Sequence, residues 1–76
     1  MFSYNIAKSF SEKAFADACS KIESHVQGFR KEKLLEDFDG TKIQIYNTPD
    51  GKIKVYNDFE VDAVYVDSEV NLSDVL

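Results

Sequence analysis

Phe2, Tyr4 and Ile6 alternate with Ser3, Asn5 and Ala7, the period of two that marks a strand with one buried face. The spacing then changes. Phe15, Ala18, Cys19, Ile22, Val26 and Phe29 fall at i, i+3, i+4, i+7, i+11 and i+14, which is one apolar stripe along a helix. Ser9 stands three residues before Glu12, the spacing of a capping box in which hydroxyl and carboxylate satisfy free amides of the first turn. Asp17 and Lys21 form an i,i+4 pair on the wet face, and Gly28 is the natural stop. A helix is expected over residues 10–27, after a strand over residues 2–7.

Residues 31–38 fit two patterns. Leu34 and Phe38 make an i,i+4 helical pair, yet they also share one face of a strand. As a strand, the segment would turn at Asp39-Gly40, pairing Phe38 with Thr41 and Asp37 with Lys42. Leu34 and Phe38 would then join the face of Ile43 and Ile45. The next hairpin, residues 41–57, is better specified, because Lys42–Asn47 and Lys52–Asn57 are near copies. A three-residue loop, Pro49-Asp50-Gly51, sets Ile45 opposite Val55 and Tyr46 opposite Lys54, with Gly51 at a left-handed bulge position. A last strand is expected over residues 59–66, with Phe59, Val61, Ala63 and Tyr65 on one face. Val64 and Val66 take the opposite phase, so Ala63–Val66 reads as covered on both sides or bulged. Residues 70–76 read as a loose tail. The class is α+β: a single domain, an antiparallel sheet of four to five strands in the order β-α-β-β-β-β, with one amphipathic helix on one face.

Composition narrows the function. Seventy-six residues make one small domain with little apolar volume to spare for an enclosed active site. Ten aromatic residues, with many Ile, Val and Leu, argue against disorder. Cys19 is the only cysteine, so no internal disulfide forms. Residues 1–5 have neither a basic region nor a continuous apolar run, and nothing approaches a membrane span. The sequon Asn71-Leu72-Ser73 has no meaning without secretion. A cytoplasmic location without membrane contact is expected.

Nucleophilic, metal and phosphate chemistry lack their residues. Cys19 and the only histidine, His25, are six positions apart on the helix, roughly 120° around its axis and 9 Å along it. They cannot meet as nucleophile and base. Cys19 lies on the apolar stripe as a core residue, and His25 suits the helix C-terminus, where its positive form favours the dipole. One cysteine and one histidine fall short of a zinc site. Asp37-Phe38-Asp39-Gly40 looks like part of a calcium loop, but that alignment puts Leu35 and Tyr46 at ligand positions. Gly28, Gly40 and Gly51 are isolated, so there is no phosphate-binding loop. No enzyme activity and no cofactor are expected.

The charge is unevenly spread. The chain carries a net −5, and residues 36–76 hold ten acids against Lys42, Lys52 and Lys54. No base follows Lys54, while Asp58, Glu60, Asp62, Asp67, Glu69 and Asp74 do. Such asymmetry speaks about partners, although acids also merely solubilise a strand. Asp58, Glu60, Asp62, Asp67 and Glu69 at strand spacing would recur every ~7 Å, near the phosphate repeat of a nucleic-acid strand. They are the expected contact with a larger protein that has a basic surface or groove. The alternatives are a nucleic-acid module on a hairpin face of Lys42, Tyr46, Lys52, Lys54 and Tyr56, which can stack bases and hold phosphates, or a structural, self-associating subunit. Val55 opposite Val61 would set Lys54 against Asp62 and Tyr56 against Glu60, cancelling the basic face, so no direct nucleic-acid binding is expected. The style of the chain (tiny, acidic, α+β, without a catalytic cluster) is similar to phage-encoded inhibitors of host enzymes. A non-enzymatic protein that modulates or inhibits a larger partner is the leading expectation.

Overall fold

The structure, a computed structural model describing residues 1–76, is α+β. The elements are β1 (Phe2–Ala7), α1 (Glu12–His25), β2 (Arg30–Lys31), β3 (Leu35–Glu36), β4 (Lys42–Thr48), β5 (Gly51–Asp58) and β6 (Ala63–Ser68). All strands form one antiparallel sheet in the order β1-β6-β5-β4-β2, with β3 also on β4. Six strands appear rather than four to five because the 31–38 region supplies two short strands instead of one. Helix α1 lies on one face, burying Phe15, Ala18 and Ile22 of its apolar stripe. Its cap is Ser11 rather than Ser9: the Ser11 hydroxyl accepts from the Ala14 amide at 3.1 Å. The two residues before the helix are tied elsewhere, the Phe10 amide to Asp62 and the Ser11 amide to Asn57.

The β4–β5 register departs from the expected one. Thr48 pairs with Gly51, Tyr46 with Ile53, Ile45 with Lys54 and Gln44 with Val55. The loop is therefore the two residues Pro49-Asp50. Thr48 stabilises it with one atom, its Oγ1 donating to the Gly51 carbonyl (2.8 Å) and accepting from the Asp50 amide (3.1 Å). Gly51 is required, but not as a bulge: its φ is +141°, and a Cβ there would meet Glu69 Cβ at 2.7 Å. One residue of slip turns a strand over. Tyr46 and Gln44 face the helix and are buried, whereas Ile43 and Ile45 lie half-buried on the open face.

The last strand and both flanking segments also differ from the expectation. Strand β6 begins at Ala63, not 59, and pairs Val55 with Val66, Tyr56 with Tyr65 and Lys54 with Asp67. Val64, Val66 and Ser68 face the helix, while Phe59 and Val61 lie in an exposed turn. Between β3 and β4 the pairing is Leu35 with Ile43 and Glu36 with Lys42, and Phe38 projects from the turn fully exposed. The tail is not loose. Leu72 is buried in the same core as Ile22, Tyr46, Ile53, Val55, Val64 and Val66, with Val70, Val75 and Leu76 packed beside it.

Candidate functional site

The five carboxylates expected as one row occupy two places. Asp58 ends β5 and Glu60 and Asp62 lie in the turn that follows, whereas Asp67 lies at the far end of β6 and Glu69 just beyond it. Asp58 Oδ1 accepts from the Glu60 and Val61 amides (3.1 and 3.2 Å), and its Oδ2 accepts from the Tyr65 hydroxyl (2.9 Å). Asp62, at φ 59°, accepts from the Phe10 amide at 2.7 Å. Asp67 accepts from the Ser3 hydroxyl (3.0 Å) and Glu69 from the Lys52 amide (2.7 Å). Four of the five thus hold the fold together as well as carrying charge; Glu60 accepts no hydrogen bond.

The tyrosine–lysine set is also divided. Lys42 reaches across to Glu12 of α1 at 2.9 Å, on the helix side. Tyr46 is in the core, its ring edge-on to Phe29 at 5.4 Å and its hydroxyl donating to Glu23 at 2.6 Å. Lys52, Lys54 and Tyr56 remain on the open face, where Tyr56 stacks on Tyr65 (4.6 Å, 13°) and Lys54 sits opposite Asp67. The Tyr46 hydroxyl, then Lys31 at 2.9 Å, hold the Glu23 carboxyl below its ordinary 4.5. A depressed carboxylate adds stability above its unfolded value, lost as pH falls through the folded one. Tyr65 is pushed the other way, to about 12, by burial and by Asp58. Its stabilisation is complete below the ordinary 10.0 and is lost as pH rises through about 12. A plot of Tm against pH should therefore fall below pH 4.5 less steeply in Glu23→Gln, and between pH 10 and 12 less steeply in Tyr65→Phe, than in the wild type. Parallel curves for wild type and variants would show that neither bond is formed.

The end of the sheet where β4 starts and β5 stops gathers what the sequence reading did not single out. Two turns meet there, the Phe59 amide donating to Thr41 Oγ1 at 3.0 Å. In the first turn Asp37 accepts from the Phe38 amide (2.8 Å), and Asp39 from the Thr41 amide (2.9 Å). That bond holds the Asp39 carboxyl below its ordinary range. Phe10 packs edge-on against Phe59 at 5.5 Å, closing the floor between the turns. Phe38 (108% exposed), Val61 (64%), Phe59 (54%) and Leu35 (51%) stand out from this end. Beside them lies a shallow depression of about 220 Å³, lined by Leu35, Glu36, Asp37, Thr41 and Ile43. Glu36, Asp37, Asp39, Asp58, Glu60 and Asp62 surround these apolar groups, and Lys42 at this end is ion-paired with Glu12. The signal was present in the sequence. Asp37-Phe38-Asp39 and Asp58-Phe59-Glu60 each put an aromatic ring between two acids, and such a ring enters a core only by dragging charge toward it.

Elsewhere, His25 is exposed and within 2.9 Å of the Lys21 carbonyl, and Cys19 is half-buried on α1. Burial, more than any neighbouring charge, raises the Cys19 thiol above its ordinary value. Nowhere do three or more His, Cys, Asp or Glu side chains gather to hold a metal ion, and no helix is long and apolar enough to cross a membrane. Comparison with protein-family models, curated proteins and solved structures finds no match.

Proposed function

We propose that this chain is a non-enzymatic binding protein that modulates or inhibits a larger protein, docking through the apolar and acidic end of its sheet. The observation that supports the reading is the exposure of Phe38, Phe59, Val61 and Leu35 on adjoining elements. A small protein with little core does not leave four large apolar side chains in water without a use for them. Aromatic anchors of this kind fill pockets on a partner and carry most of the affinity. The carboxylates around them set the partner's chemistry: a basic surface with an apolar cleft, approached under electrostatic steering. Imitation of nucleic-acid charge is a narrower form of this reading, centred on Asp58, Glu60 and Asp62, since Asp67 and Glu69 lie beside Lys54 and Lys52.

The test compares wild type, Phe38→Ser/Phe59→Ser and Glu36→Gln/Asp37→Asn/Glu60→Gln as baits in cell extract, followed by affinity measurements on the captured protein across salt. A basic partner is expected. The serine pair should weaken it by more than ~100-fold, and the charge variant should slow its association and flatten the salt dependence. Retention of the same partner by the serine pair, with a salt-independent affinity, would remove this surface from consideration. Binding of single-stranded DNA or RNA at ~0.1 M salt, lost on Tyr56→Ala, would instead favour a nucleic-acid module on the open face.

A further inference from the structure

The sheet has two edges, and they are finished differently. On the β4 side, Arg30 and Lys31 pair with Asn47 and Tyr46, Leu35 and Glu36 pair with Ile43 and Lys42, and the Glu32 amide donates to the Ile45 carbonyl at 2.9 Å. The rim beyond is the charged run Arg30-Lys31-Glu32-Lys33. Charge and interrupted pairing are how sheets keep an edge from joining another chain.

Strand β1, at the opposite edge, lacks the charge, and its pairing runs unbroken from Phe2 to Asn5. It pairs only with β6, and no backbone hydrogen bond outside that ladder involves residues 2–7. Phe2-Ser3-Tyr4-Asn5-Ile6-Ala7 contains no charged residue and no proline, and its one irregularity is a bulge at its far end, between Asn5 and Ala7. Alternate amides and carbonyls along it point outward with nothing to bond. Met1 beside it and Phe2 at its start are exposed apolar residues, the second at 40%.

From this edge the geometry points to a second copy of the chain: β1 pairs antiparallel with β1 of that copy about a two-fold axis at Tyr4, continuing the sheet through both molecules. The strand is complementary to itself about that axis. Phe2 comes opposite Ile6 of the second copy on the helix side, and Ser3 comes opposite Asn5 on the open side. Apolar meets apolar and polar meets polar, as an isologous contact requires. Despite the net −5, no carboxylate lies on the seam. The nearest, Asp67, is one strand inward and accepts the Ser3 hydroxyl at 3.0 Å. The acidic end of the sheet stays free for another partner.

Sedimentation equilibrium from micromolar concentration to about 0.5 mM tests the pairing, with amide exchange of residues 2–6 read at both ends of that range. The wild type should reach twice the 8.7 kDa chain mass, with exchange in β1 slowing as concentration rises. Ser3→Lys/Asn5→Lys places lysines opposite lysines across the axis and should weaken the dimer at least ~10-fold while the monomer stays folded. If that pair fails to fold, Asn5→Lys alone, at a side chain that makes no hydrogen bond, should show the same direction. A wild type that stays monomeric throughout overturns the inference. A dimer indifferent to the lysines overturns it too, as does one dissolved by Phe38→Ser, which would put self-association at the acidic end.

Discussion

Tyr46→Ala should leave the chain largely unfolded at room temperature. The side chain is fully buried between α1 and the sheet, edge-on to Phe29 at 5.4 Å, and its hydroxyl donates to Glu23 at 2.6 Å. Truncating a buried aromatic costs about 3–5 kcal/mol. A single core in a domain this small supplies only about 3–5 kcal/mol of net stability, so the truncation removes most or all of it. Tyr46→Phe keeps the ring and loses the bond to Glu23, a cost of about 1 kcal/mol or somewhat more. Tyr56→Ala, on the open face, loses its stack on Tyr65 and a partly exposed ring, and should cost less than half as much as Tyr46→Ala. Urea and thermal melts followed by circular dichroism separate the three. If Tyr46→Ala melts close to wild type, β4 presents its other face to the helix.

Why Tyr46 was expected on the surface shows where a sequence stops specifying a sheet. Helix α1 was legible because one stripe of it is apolar and the rest is not; Phe15, Ala18 and Ile22 are the buried set. Strand β5 was legible for the same reason: Ile53 and Val55 alternate with Lys52 and Lys54, and no other phase buries them without burying lysine. Strand β4 offers Ile43 and Ile45 on one phase and Tyr46 on the other, so its pattern leaves both faces open. Two details of chemistry decide between them, the Thr48 hydroxyl closing a two-residue turn and Glu23 waiting for a phenol. Strand β6 has the same ambiguity, with Val64 and Val66 against Ala63 and Tyr65. There the Asp58 turn and the Tyr56–Tyr65 stack settle the phase. The expected row of acids rested on the wrong phase and on a start at 59, so it dissolved with them. Phe38 and Phe59 fit the faces of strands only if every large apolar residue is buried, and the acids on either side of each ring argue otherwise.

Leu72→Ala should lower Tm by more than about 10 °C, although position 72 lies four residues from the end of the described chain in a segment without regular structure. Leu72 is 1% exposed and belongs to the same core as Ile22 and Val66. What holds it there is a set of local bonds. The Tyr4 hydroxyl accepts from the Leu72 amide at 2.6 Å, and Ser68 Oγ bonds both the amide (2.9 Å) and the carbonyl (2.7 Å) of Val70. The Leu72 carbonyl accepts from the Val75 and Leu76 amides at 2.9 and 3.0 Å, closing a final turn. One helix cannot cover a six-stranded sheet, and Leu72, with Val70, Val75 and Leu76, covers part of what α1 leaves open on that face. Cutting the leucine to alanine removes about 2–5 kcal/mol of burial and packing. Tyr4→Phe tests the bonds apart from the packing: it leaves the Leu72 amide without its acceptor, at about 1–3 kcal/mol. Asp74→Asn, exposed in the same turn with no side-chain hydrogen bond, should melt with the wild type. A tail that only trails in solvent would make Leu72→Ala as silent as Asp74→Asn, and scanning calorimetry of the pair decides between the two.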